Sequence, residues 1–174
     1  LLAEHRAAHA AATLLSAQLQ DPTGYGRVIR DGDGGVSRIV EQKDASADEL
    51  TVTEVNSGVY VFRAAALRAH IGGLTTANSQ GEMYLTDVVA LLRAAGELIN
   101  ARTIADASLV EGINDRVQLA EAAARLNARV IRRWQLAGVT VQDPATTWID
   151  VTATLAPDVT LLPGTQILRA TAVA

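Results

Sequence analysis

The chain has 174 residues, of which 49% are hydrophobic and 20% charged; the net charge is −4 and there is no cysteine. This composition excludes a disordered segment, disulfides, thiolate metal sites and a Cys nucleophile. With no dense Lys/Arg block and no apolar run of membrane-spanning length, neither nucleic acid nor a membrane is an expected partner.

Aromatics make up only 3%, so the core has to be aliphatic. The amino end, Leu1-Leu2-Ala3-Glu4-His5-Arg6, lacks the basic-then-apolar layout of a signal peptide. A cytoplasmic location is therefore expected. The chain starts on Leu, inside a helical pattern, and stops inside a repeat, so it reads as an internal fragment of a longer protein.

Residues 1–10 read as the end of a helix and 10–19 as a strand. Asp21-Pro22-Thr23-Gly24-Tyr25-Gly26 is a loop by its Pro and two Gly. Residues 27–30 and 36–41 read as two strands joined by the glycine-rich turn Asp31-Gly32-Asp33-Gly34-Gly35. Residues 43–49 read as a surface loop. Val55-Asn56-Ser57-Gly58-Val59-Tyr60-Val61-Phe62 reads as a buried strand with a polar mouth.

A short helix is expected over 64–71, a polar loop over 75–80, and a helix over 82–95 with Tyr84, Val88, Leu91 and Leu92 on its stripe. A strand over 98–104 and a loop over 108–114 follow. The longest helix spans 115–137, with Leu119, Ala123, Leu126, Val130, Trp134 and Ala137 as its apolar stripe. Beyond Val139 the composition turns Val/Thr/Ile-rich, and Leu155, Leu161, Ile167 and Val173 fall six residues apart. A period of six with an aliphatic lead marks a parallel β-helix. The first part is thus α/β with mixed strands, and the last part is the start of a solenoid.

Four residues are candidates for binding chemistry. Gly26, where a strand begins, lets a ligand approach the backbone. Glu41, ending the next strand, can accept from a sugar hydroxyl or an amide. Asn56 has both donor and acceptor. Asn114 precedes the longest helix and reads either as its N-cap, in competition with Asp115, or as a ligand of a hard cation. His5, His9 and His70 read as surface residues. No Ser–His–Asp arrangement and no Walker-type loop is present.

Taken together and in order, six segments resemble one family. They are Pro22–Arg27, Ile39–Asp44, Glu54–Gly58, Asn78–Asp87, Val110–Arg116 and Leu136–Val139. The family is that of the bacterial bifunctional N-acetylglucosamine-1-phosphate uridyltransferases/glucosamine-1-phosphate N-acetyltransferases, with an actinobacterial flavour in Asp143–Asp150. The resemblance implies the carboxyl-terminal portion of a Rossmann-like nucleotidyltransferase domain over 1–116 and a linker helix over 117–137. The start of a left-handed β-helix, the hexapeptide-repeat acetyltransferase domain, takes 138–174.

The same resemblance implies that Gly26, Glu41, Asn56 and Asn114 hold UDP-N-acetylglucosamine, and that Asn114 also binds Mg²⁺. Substrates are then UTP and N-acetylglucosamine 1-phosphate, with acetyl-CoA and a homotrimer for the full-length protein, serving peptidoglycan and cell-wall synthesis. The family's glycine-rich nucleotide loop, its Mg²⁺-binding Asp and its acetyltransferase residues have no counterpart in this sequence. No catalytic residue is therefore assigned, and the isolated chain is expected to be inactive. Met83 stands where the family usually has an aromatic, a change expected to affect packing. Two rival readings are another sugar-1-phosphate nucleotidyltransferase and a non-catalytic β-helix assembly module.

Overall fold

The computed structural model describes residues 1–113 and 115–174. They form two compact units, Leu1–Gly112 and Ile113–Ala174.

The first unit is built on a five-stranded mixed sheet. Helix α1 (Leu2–Ala8) leads into β1 (Ala12–Gln18); β2 (Arg27–Arg30) and β3 (Val36–Val40) form a hairpin. A single turn of helix, α2 (Ala47–Leu50), precedes β4 (Glu54–Phe62), α3 (Ala64–His70), α4 (Asp87–Ala94) and β5 (Ile99–Ile104). The strand order is β3-β2-β4-β1-β5; β1 and β5 run parallel and the other neighbours antiparallel. The mixed sheet follows from the hairpin, which forces antiparallel pairing at one end.

The core is aliphatic: Leu14, Val28, Val36, Ile39, Val88, Val89, Leu92 and Ile99 are buried together, with Tyr60, Phe62 and Leu67 packed against them. Helices α3 and α4 thus cover one sheet face.

Several expectations are corrected. Residues 43–49 are not all loop. Ser46 and Glu49 form a reciprocal capping box that nucleates α2. The helix expected over 82–95 begins only at Asp87, so Tyr84 is not on its stripe. β4 is not a buried strand: only Glu54 and Val55 are buried, and Val59 is 45% exposed. His5 is buried, not superficial, and its Nδ1 lies 2.9 Å from the Thr13 hydroxyl. Met83 is exposed.

Beneath the sheet, Glu54 is the hub of a polar cluster that ties β1, β2, β4 and β5 together. Its carboxylate accepts two bonds from the Arg30 guanidinium at 2.8 and 2.9 Å and one from the Ser16 hydroxyl at 2.6 Å, with Thr103 at 3.4 Å. Burial opposes the charge, but these donors and the Arg30 charge outweigh it and hold the carboxyl below the usual glutamate range.

The second unit pairs a helix with a coil. Helix α5 (Arg116–Leu136) is capped by Asp115, whose side chain accepts from Gln118 N–H at 2.8 Å. Asp115 thus takes the N-cap role; Asn114 lies outside the described residues. Leu119 and Leu126 are exposed; the buried face is Asn127, Val130 and Ile131, at the carboxyl half only.

Six two-residue strands follow: β6 (Thr140–Val141), β7 (Trp148–Ile149), β8 (Thr154–Leu155), β9 (Thr160–Leu161), β10 (Gln166–Ile167) and β11 (Ala172–Val173). They pair in parallel as β6–β9, β7–β10 and β8–β11. The six-residue leads Leu155, Leu161 and Ile167 are buried, and Ile149 extends the series by one.

Asn127 joins the helix to the coil. Its Nδ2 donates to Thr147 C=O at 2.7 Å and its Oδ1 accepts from Ile149 N–H at 3.1 Å. A buried amide that mimics a backbone partner on both sides leaves two orphans when removed. We predict that Asn127→Ala destabilises this unit by about 2–3 kcal/mol. Both tryptophans, Trp134 and Trp148, lie here, so tryptophan fluorescence in urea reads this unit alone.

The Glu54 cluster gives a second prediction. Because the folded carboxyl titrates below the unfolded one, its stabilisation is present above the usual glutamate value of about 4.3 and is lost as pH falls through the folded value. In tyrosine-fluorescence urea titrations, Glu54→Gln should lower the midpoint at pH 7 and lose this acid-side decline. An unchanged pH profile would count against the hub.

Candidate functional site

The β2–β3 hairpin meets β4 through one ladder pair, Arg27 with Val55, extended by the bond from Asn56 N–H to Gly26 C=O at 2.9 Å. Register does the rest: Arg27 pairs with Val40, so Gly26 and Glu41 continue the hairpin side by side at its open end. A Cβ on Gly26 would stand 3.2 Å from Glu41 Oε2 and 3.3 Å from Ile39 Cγ2. The residue is glycine because the carboxylate occupies that space.

Glu41 is itself held. Its Oε1 accepts from the Thr86 hydroxyl at 3.0 Å, which leaves Oε2 beside Gly26. Asn56 lies on the other side, on β4, where the ladder with β1 is interrupted. Leu14 pairs with Tyr60 and Ser16 with Asn56, so Ser57, Gly58 and Val59 stand opposite Leu15 alone.

This bulge has its own supports. The Ser57 hydroxyl donates to Leu15 C=O at 2.7 Å, and Gly58 takes φ +77°. In a regular strand Asn56 and Tyr60 would lie about 13 Å apart. The bulge shortens that span, and the Tyr60 hydroxyl donates to Asn56 Oδ1 at 2.8 Å. Burial, with the Glu41 charge adding to it, pushes the Tyr60 phenol up to about 12.

The loop over this junction is fastened from below. Arg27 is 2% exposed; its guanidinium donates to Tyr25 C=O and, at 2.7 Å, to Gln42 Oε1, which also accepts from Gly24 N–H at 3.2 Å. Above, the Tyr25 hydroxyl accepts from Gly112 N–H at 3.0 Å.

Thus Gly26, Glu41 and Asn56 come together at strand ends. Tyr60, Thr86, Gln42 and Arg27 were not singled out from sequence. For Tyr60 a signal existed: a lone glycine inside a strand pattern marks a bulge, and a bulge brings an i+4 residue within reach.

Next to Glu41 lies a recess of about 290 Å³ lined by Ile39, Asp44, Asn78, Tyr84 and Asp87. Burial, then the Asp44 charge, raises the Asp87 carboxyl, while bonds from Ser79 hold Asp44 low. A larger recess of about 580 Å³ lies between the hairpin turn and β5 and contains none of the three junction residues. Among the described residues no group of three His, Asp or Glu side chains is placed to hold a metal ion. The one Mg²⁺ ligand expected from the sequence, Asn114, is outside the described residues. No helix among them is long and apolar enough to cross a membrane.

Known proteins agree with this architecture. Residues 1–153 match the nucleotidyl transferase family, and the chain belongs to that family. It is 60% identical over 173 residues to the bifunctional protein GlmU of Leifsonia xyli subsp. xyli, covering 99% of this chain and 36% of the relative. GlmU of Clavibacter sepedonicus is 60% identical over 174 residues, at 100% and 35% coverage. GlmU of Mycobacterium tuberculosis (strain ATCC 25177 / H37Ra) is 53% identical over 171 residues, at 98% and 34%.

The chain thus spans about a third of the length of these relatives. In fold it is similar to a Bacillus anthracis protein crystallised with sucrose and described as a glucose-1-phosphate thymidylyltransferase. The TM-score is 0.52 at 19% identity, over 71% of this chain and 46% of that one. At that identity the likeness is one of α/β fold.

Gly58 supplies the test of the bulge. With φ +77° a Cβ is strained although no atom lies within 4 Å of it. Gly58→Ala should cost about 1–2 kcal/mol, read as a lower urea midpoint by tyrosine fluorescence. A midpoint equal to the parent's would show that the bulge does not need glycine.

Proposed function

We propose that Leu1–Gly112 is the sugar-holding part of a nucleotidyltransferase that makes UDP-N-acetylglucosamine from UTP and N-acetylglucosamine 1-phosphate. What carries this reading is the junction of Gly26, Glu41 and Asn56. A fixed carboxylate at the end of β3 and an oriented amide on β4 flank Gly26, whose missing side chain leaves room for the carboxylate. Membership in the nucleotidyl transferase family and the likeness to GlmU proteins support it.

In the reaction an oxygen of the sugar phosphate attacks the α-phosphorus of UTP, and pyrophosphate leaves with the electron pair of the broken P–O bond. This chain's contribution is positioning. Glu41 accepts from the sugar, Asn56 orients it, and Gly26 leaves the room that the Glu41 carboxylate needs. The Arg27–Gln42 clamp keeps the overlying loop in place. Asn114 as an Mg²⁺ and nucleotide-sugar ligand belongs to the same proposal, with a carboxylate partner from outside this chain.

For the second unit we propose the linker helix and the first coil of a left-handed parallel β-helix, the start of an acetyl-CoA-dependent acetyltransferase that trimerises. The domains are then 1–116, 117–137 and 138–174. The support is the parallel pairing of Ile149 with Ile167 and of Leu155 with Val173, each three six-residue steps apart. The whole protein would be cytoplasmic and serve cell-wall synthesis.

Two measurements test the first reading. In calorimetry the chain should bind N-acetylglucosamine 1-phosphate more tightly than glucose 1-phosphate, and Glu41→Ala should weaken the former by about tenfold or more. Equal binding of both sugars would refute the assignment. With UTP, sugar phosphate and Mg²⁺, pyrophosphate release should stay at background; turnover would show that the chain supplies its own charge compensation.

A further inference from the structure

An asparagine can meet a ligand with its oxygen or with its N–H₂ group, and the two recognise opposite chemistry. Here the fold chooses. Asn56 Oδ1 is taken twice, by the Tyr60 hydroxyl at 2.8 Å and by Gly58 N–H at 3.1 Å. Nδ2 is left as the group without an intramolecular partner among the described residues. Glu41 is divided in the same way. Oε1 is bound to Thr86, and Oε2 faces the space beside Gly26. The junction therefore presents a fixed donor from β4 and a fixed acceptor from the end of β3.

We propose that Tyr60 is a positioning residue that selects an N-acylated sugar phosphate over the corresponding hydroxy sugar: the Gly58 N–H sets Asn56 Oδ1 inward, and the Tyr60 hydroxyl, its second donor, holds the amide in place with its N–H₂ group outward. This rests on the sugar-holding reading given above. An acylamino group carries an acceptor, its carbonyl oxygen, and a donor, its N–H, in fixed relation. The donor of Asn56 suits the first and the acceptor of Glu41 suits the second. A hydroxyl can rotate to satisfy either neighbour, so a locked amide gives it no such preference. Discrimination of this kind is strong because a buried group left unpaired is costly.

Tyr60 is suited to the task. Its ring is pinned by stacking on Phe62 at 5.4 Å and by the core beneath. Its phenol stays protonated, and so a donor, well above neutral pH. The bulge that brings it to Asn56 is set by Gly58 and Ser57, so three residues of one strand cooperate in orienting a fourth.

The test is Tyr60→Phe, which removes the hydroxyl and keeps the ring. Affinities for N-acetylglucosamine 1-phosphate and glucose 1-phosphate are measured by calorimetry on the parent chain and the variant. The variant should bind the N-acetyl sugar about tenfold more weakly and glucose 1-phosphate within about twofold of the parent, so that the selectivity ratio falls. Equal weakening toward both sugars means a merely structural role and overturns the proposal, as does an unchanged ratio.

The parent alone tests the underlying reading: if it does not distinguish the two sugars, that reading fails first and the proposal with it. If Tyr60→Phe does not fold, as judged by its urea midpoint, Asn56→Asp replaces the outward donor by an acceptor while keeping an oxygen for Tyr60. Loss of selectivity in that variant supports the proposal, and retained selectivity overturns it.

Discussion

A strand that must bend gives up ladder hydrogen bonds, and β4 gives up its own at Gly58. The orientation of Asn56 at the candidate site depends on that concession. Three residues of β4 face one of β1, and the freed carbonyl of Leu15 is recovered by the Ser57 hydroxyl. The interruption costs little because the lost partner is replaced, and it converts a straight edge into a bracket. Asn56 and Tyr60, too far apart in a regular strand, become hydrogen-bonded neighbours. The Asn-Ser-Gly triplet is therefore neither a simple turn nor a simple binding motif. Each residue has one part in a single local construction.

The second constraint is the narrow joint between the β2–β3 hairpin and β4. One ladder pair and one further backbone bond hold the two together. Such a joint needs reinforcement. It comes from the buried Arg27, whose guanidinium bonds to a carbonyl and an amide oxygen while its Nε has no partner. Burying a cation without a direct carboxylate bond is expensive, and the charge of Asp21 offsets part of it. The expense falls at the loop that covers Gly26, which is where positional precision matters. On the opposite side of the joint the Glu54 cluster binds four strands through charge and hydroxyl donors.

The second unit follows another logic. Its strands are two residues long and none could stand alone. They persist because the same aliphatic position returns every six residues and stacks on its own kind: Ile149 by Ile167, Leu155 by Val173. Asp158 and Gly164, six apart, take the left-handed conformation. Asn127 completes the arrangement by serving as a borrowed backbone for the coil's first turns. Helix and coil are thereby one cooperative body within this unit.

The sequence by itself determined the α/β class, the mixed sheet, the hairpin and the six-residue coil, and it named Gly26, Glu41 and Asn56 as candidates that the hairpin register and the β2–β4 bond bring side by side. These are legible because they rest on local properties: alternation, glycine turns, a fixed repeat, and polar residues at strand ends. It misplaced features whose cause lies elsewhere in the chain. β4 looked buried because Val, Tyr and Phe are what buried strands contain, yet its exposure depends on which neighbours it has. Tyr84 was assigned to a helix by its spacing, although the helix starts at Asp87. His5 looked superficial until Thr13 met it across the first turn of chain. Only the tertiary structure decided that Tyr60 reaches Asn56, that Thr86 divides the Glu41 carboxylate, and that Arg27 is buried. Each of these joins residues through a bulge, a narrow joint or a packed helix, and pattern along a chain carries no record of such distances.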